Sequence, residues 1–109
     1  MKWYPYLYTG PQAEKKKNKI LWKFRCNAGL VNVYLITLSS NGKDLFDIIS
    51  SSYLKQKALR RNLPMIVGIA VGYEEALDLV IRIVEETIKN RGDANVKQYL
   101  KDQIKKEGL

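Results

Sequence analysis

The side chain with the widest catalytic reach at neutral pH is missing, because the 109-residue chain contains no histidine. This excludes imidazole metal ligands, Ser-His and Cys-His nucleophile pairs, and the commonest general base. The remaining candidates for chemistry stand alone. Asp44 and Asp47 are three residues apart, and on a helix predicted over 43–61 they share one exposed face as solvated carboxylates. Ser50, Ser51 and Ser52 are nucleophile types with no visible base. Cys26 follows Arg25, a neighbour able to lower a thiol pKa, yet it closes an alternating apolar set with Ile20, Trp22 and Phe24 that predicts a buried, inert thiol. No catalytic residue, metal site or cofactor is expected, and the balance leans against an enzyme.

What the chain offers in place of catalysis is charge. Nineteen Lys and Arg against eleven Asp and Glu give +8. Residues 1–30 carry seven basic and one acidic residue, whereas residues 64–90 carry two and five. Lys15, Lys16, Lys17, Lys19, Lys23 and Arg25 predict a positive face for phosphates or an acidic protein, which Lys55, Lys57, Arg60 and Arg61 would extend. Trp3, Tyr4, Tyr6 and Tyr8 would add stacking surfaces for unpaired bases if they lie beside it. The alternative is a solvated face with tyrosines packed on the core. No zinc spacing, GXXG loop or RNP-type strand marks a known nucleic-acid module.

A second anion site is expected at strand ends leading into helices, where free N–H groups and the helix dipole meet. The candidates are Ser39, Ser40 and Asn41, then Gly72 and Tyr73. Their bland reading is a helix cap and a tight turn, and Glu74 and Glu75 would repel an anion there. Gly68 to Gly72 matches neither a dinucleotide fingerprint nor a phosphate loop.

The elements that must position these groups follow from periodicity. Residues 31–38 form a β-branched and aromatic run ending at the turn cluster Ser39 to Gly42, which predicts a strand. Apolar residues at Leu45, Ile48, Ile49, Tyr53, Ala58 and Leu59 predict the helix over 43–61, stopped before Pro64. Residues 65–71 are a continuous apolar run, read as a strand buried on both faces and parallel to the first. Residues 74–90 predict the clearest helix, with Gly92 as its left-handed end residue and Asp78 to Arg82 and Glu85 to Lys89 as opposite-charge pairs. Asp93 would cap a last helix over 94–106. Residues 11–27 fit a helix better than a strand, since Pro11 suits its start and Gly29 its end. Residues 2–8 suit an edge strand, because Pro5 argues against a central one.

The stretches Val33 to Leu38, Leu54 to Lys57 and Leu63 to Leu77 resemble a group of short uncharacterised bacterial proteins. The resemblance implies a bacterial stand-alone domain and transfers no activity. The whole chain is expected to be one small α/β domain: a βαβα core, a short parallel or mixed sheet covered by helices, and an extra C-terminal helix. The longest apolar runs fall far short of the roughly 20 residues of a transmembrane helix, and no signal peptide is evident. With one cysteine excluding an internal disulfide, a cytoplasmic protein without a membrane partner is expected. Leu79 and Ile83 widen the apolar face of helix 74–90 formed by Ala76, Leu77, Val80, Ile81, Val84 and Ile88. A stripe so wide predicts a homo-oligomer. The expected function is a non-catalytic, self-associating binding or regulatory module. Nucleic-acid binding through the basic half is the alternative, and a binder of a phosphorylated small molecule at the strand ends ranks third.

Overall fold

A computed structural model describes residues 2–26, 30, 32–39, 45–55 and 61–107. Its sheet has four strands: β1 (Trp3–Thr9), β2 (Val33–Leu38), β3 (Phe46–Ser50) and β4 (Ile66–Val71), in the order β1-β4-β2-β3. β1 runs parallel to β4, while β2 is antiparallel to both β4 and β3. The fold class is α/β with a mixed sheet. β1 is an edge strand, so Pro5 removes no necessary ladder bond.

Two expectations are corrected. The stretch 43–61 does not begin as a helix: Phe46–Ser50 is a strand in regular register with β2, from Tyr34 opposite Ser50 to Leu38 opposite Phe46, and Ser51–Lys55 is a 3₁₀ turn. The helical reading used Tyr53 as a core residue, but Tyr53 is exposed. Asn41-Gly42 between two apolar runs is the strongest short-range hairpin signal, and it outranks a loose helical rhythm. Residues Ser40 to Asp44 and Gln56 to Arg60 lie outside the described residues. The second correction follows from the first. With β3 inserted antiparallel to β2, strands 31–38 and 65–71 pair antiparallel, and the parallel partner of β4 is β1.

Helices α1 (Pro11–Lys15) and α2 (Lys17–Arg25) bear out the helical reading of 11–27, with Pro11 at the first position. They cover one face of the sheet, where Ala13, Ile20 and Phe24 pack with Val33, Leu35, Leu54, Ile66 and Ile69. Helices α3 (Tyr73–Arg91) and α4 (Val96–Glu107) cover the other, where Leu79, Ile83, Tyr99 and Leu100 pack with Tyr4, Ile36 and Val67. α3 ends at Gly92 in the left-handed conformation (φ 83°), whose N–H donates to the Ile88 carbonyl. Asp93 accepts from the Asn95 N–H, and Asn95 in turn accepts from the Gln98 N–H, so Asn95 caps α4. At Gly68 the helix lies close: a Cβ there would sit 3.0 Å from Leu79 Cδ2.

Candidate functional site

β1 and β4 are adjacent and parallel, and their chains leave toward opposite faces, β1 into α1 and β4 into α3. This is the arrangement that opens a crevice at strand carboxyl ends. A cavity of about 630 Å³ lies there, lined by Gly10, Gln12, Asn32, Gly72, Glu74, Asp78 and Arg82 among others. Gly72, at φ 90°, donates its N–H to the Asn32 carbonyl, and Asn32 itself has φ 60°. Of the predicted strand-end residues, only Gly72 lines this crevice; Tyr73 begins α3. Ser39 follows β2, which runs the other way, so it lies at the opposite end of the sheet. Ser40 and Asn41 are outside the described residues.

The anion that such a place attracts is already supplied by the chain. The Glu75 carboxylate accepts from the N–H groups of Gln12 (2.8 Å) and Ala13 (3.4 Å) in α1 and of Val71 (2.6 Å) at the end of β4. Gly10 is what lets it in: a Cβ there would fall 2.3 Å from Glu75 Cγ. Arg82, expected to pair with Asp78, instead donates to the Thr9 carbonyl (3.1 Å) and stands 5.9 Å from the centre of the Tyr8 ring. Among the described residues the ion pairs are those of Arg91 with Asp93 (3.0 Å) and Asp102 (3.4 Å), so neither predicted pair on α3 is formed. Arg91 holds the Asp93 carboxyl below its ordinary range.

A second carboxylate on α3, Glu86, is likewise committed. Tyr8 and Tyr99 both donate to its Oε2, Tyr99 at 3.0 Å. Burial first, and then the bond to Glu86, push the Tyr8 hydroxyl far above its ordinary pKa, and Tyr99 rises for the same reasons. Tyr4 is buried and donates to the Leu100 carbonyl. Tyr4 and Tyr8 of β1 therefore pack toward the α3/α4 face, stacked at 6.2 Å, although Tyr4 also borders the cavity that Lys17 and Arg25 line.

The basic residues fall on α1 and α2, on the other face, and the helix sorts them. Lys16, Lys19 and Lys23 line a cavity of about 200 Å³ floored by Ile20, Val33 and Val71. Lys17 and Arg25 line a different one, of about 480 Å³, with Trp3, Leu7, Leu21 and Phe24. Lys15 is exposed on α1, and Arg61 is exposed far along the chain; Arg60 is outside the described residues. None of the described members of this group makes an ion pair with a described residue. Between the two rows stands Trp22, 61% exposed. Its alternation with Ile20, Phe24 and Cys26 suits a strand, but the segment is a helix, and there Trp22, offset from Ile20 and Phe24, points outward.

The other chemistry candidates are scattered. Asp47 is on β3 and Asp44 is outside the described residues, so they share no helical face. Ser50 and Ser52 bond to each other (3.0 Å), and Ser51 is buried. Cys26 is exposed at the end of α2, which overturns its expected burial: the alternation that predicted it belongs to a strand, and the segment is a helix. Among the described residues no group of three or more acidic or cysteine side chains is gathered as for a metal ion, and no helix is long and apolar enough to cross a membrane. Comparison with protein-family models, with curated proteins and with solved structures finds no match.

Proposed function

We propose that the protein is a non-catalytic binding module whose copies pair through the outer face of α3. The observation that carries this reading is a second apolar stripe on that helix. The first stripe, Ala76, Leu79, Ile83 and Thr87, is buried against the sheet. The second, Leu77, Ile81, Val84 and Ile88, follows the 4-3-4 spacing of a coiled-coil seam, and Leu77, Ile81 and Ile88 are 42–53% exposed. Leu79 and Ile83, expected to widen the apolar face, thus belong to the core, and the excess lies with Leu77, Ile81 and Ile88.

The occupant that suits the stripe is a second copy, running antiparallel. The spacing reads the same from either end, so a two-fold axis between Arg82 and Ile83 sets Leu77 against Ile88 and Ile81 against Val84 of the other copy. The same axis brings acidic Glu74 and Asp78 toward basic Lys89 and Arg91, and opposes the two helix dipoles. A helix of this length offers only about 500 Å² per copy, the low end for a specific interface, so the dimer should be of roughly micromolar stability. The half-buried carboxylates favour the non-catalytic part, because Glu75 at the strand ends takes three of the chain's own N–H donors and Glu86 takes two tyrosine hydroxyls.

Sedimentation equilibrium from micromolar to near-millimolar protein tests the reading. The mass should rise from 12.6 kDa toward twice that value. Ile81→Lys should stay monomeric throughout while keeping its melting temperature at low concentration. A wild-type chain that remains monomeric at the highest concentration refutes the proposal, as does a dimer indifferent to Ile81→Lys.

A further inference from the structure

We infer that the outer face of α2 is a binding surface for single-stranded nucleic acid, with Trp22 stacking on an unpaired base and the flanking Lys19, Lys23 and Arg25 holding the backbone phosphates. At about 100° per residue, Trp22 is the apex of α2, opposite buried Ile20 and Phe24. Lys19 and Lys23 flank it on one side and Arg25 on the other, so one indole stands between two cationic rows. An indole left 61% exposed on a helix that turns Ile20 and Phe24 to the sheet has no role in the core. The cations beside it have no described carboxylate to neutralise them, and a chain of charge +8 concentrates them here. Stacking plus counterion release is how unpaired strands are held without sequence readout.

A duplex hides the faces of its bases, so the indole would gain nothing from it. A lipid surface is a poorer match, because interfacial helices bury a whole apolar face and α2 has spent its own on the sheet. The surface lies on the opposite side of the sheet from α3, and the inference does not depend on self-association.

Anisotropy titration of a labelled oligo-dT strand against the full-length protein over a range of salt is the test, with a duplex of equal length and phosphatidylglycerol vesicles as the other arms. The single strand should bind more tightly than the duplex, with a log–log salt slope of about −2 to −4 for three to five phosphates. Trp22→Ala should weaken binding roughly tenfold and leave the slope unchanged. Lys19→Ala with Lys23→Ala should flatten the slope by about 1.4. Equal affinity for duplex and single strand, a Trp22→Ala protein that binds like the wild type, or binding to vesicles without binding to the oligonucleotide would each overturn the inference. Trp22, Lys19 and Lys23 lie outside the core, and an unchanged circular-dichroism melt of each variant separates lost binding from lost folding.

Discussion

On the α3/α4 side of the sheet, four acidic side chains have partners: Glu75 takes the N–H groups of α1 and β4, Glu86 takes two tyrosines, and Arg91 joins Asp93 to Asp102. That same side leaves Leu77, Ile81 and Ile88 facing solvent. On the α1/α2 side the contrast is reversed. Ile20 and Phe24 are buried with little apolar surface left apart from Trp22, yet six cations from Lys15 to Arg25 have no described acidic partner. One sheet therefore separates a layer with surplus apolar surface from a layer with surplus charge. Each surplus suits a different partner chemistry, which is why self-association and anion binding are proposed for opposite sides.

The largest expected effect compares two isoleucines on one helix. Ile83→Ala opens a cavity beneath α3 and should cost about 3 kcal/mol in chemical denaturation, while Ile81→Ala, two residues away and half exposed, should change the stability of the monomer by less than about 0.5 kcal/mol. Similar losses at both positions would erase the distinction between core stripe and outer stripe.

Next is the carboxylate that ties the two layers together. Glu75→Ala strands the N–H groups of Gln12, Ala13 and Val71, and should cost about 2 kcal/mol, or roughly 10 °C in melting temperature for a domain of this size. Glu74→Ala, exposed beside it, is the control and should be close to neutral. If the two variants melt alike, the α1 cap is not structural.

Tyr8→Phe removes one of the two hydroxyls on Glu86 and should cost about 1.5 kcal/mol. The sign of its pH dependence is fixed by the raised pKa of Tyr8 in the folded state. Its contribution is complete below the ordinary tyrosine value of 10.0 and is lost as the pH climbs above it, since the unfolded chain then releases a proton that the native state retains. Stability followed into alkaline solution should fall less steeply for Tyr8→Phe than for the wild type.

The smallest effect has the opposite sign. Thr37 is fully buried on β2, and its hydroxyl has no hydrogen-bond partner among the described residues. Alternation with Val33 and Leu35 turns it toward the α1/α2 layer. Thr37→Val keeps the shape and removes the unsatisfied oxygen, so it should stabilise the protein by about 1 kcal/mol, and a loss would show that the hydroxyl is satisfied after all.

The elements with strong local signals were legible from sequence. β2 and β4 declared themselves as β-branched runs, and Pro11 and Gly92 bracketed helices where they were expected. β3 was not, because Leu45, Ile48 and Ile49 suit either period over so short a stretch and the deciding hairpin contacts lie on another strand. Cys26 is exposed against expectation for a related reason: Ile20, Trp22, Phe24 and Cys26 alternate like a strand, whereas in the helix that forms only Ile20 and Phe24 of that set pack against the sheet. The Glu75 cap left one trace, a glycine at position 10 ahead of Pro11, but its partner is 65 residues away.

Composition alone determined the lack of imidazole chemistry and the basic front half, since neither depends on how the chain folds. Periodicity determined that α3 is a helix with more apolar surface than one contact uses. Only the tertiary structure decided which of its two stripes meets the sheet, which carboxylates are spent on backbone N–H groups, and that the hydroxyls of Tyr4 and Tyr8 bond on the side of the sheet away from α2. Those outcomes depend on strand order and on the direction in which each helix crosses the sheet. Both are set by contacts between residues far apart in the chain, and no local pattern encodes them.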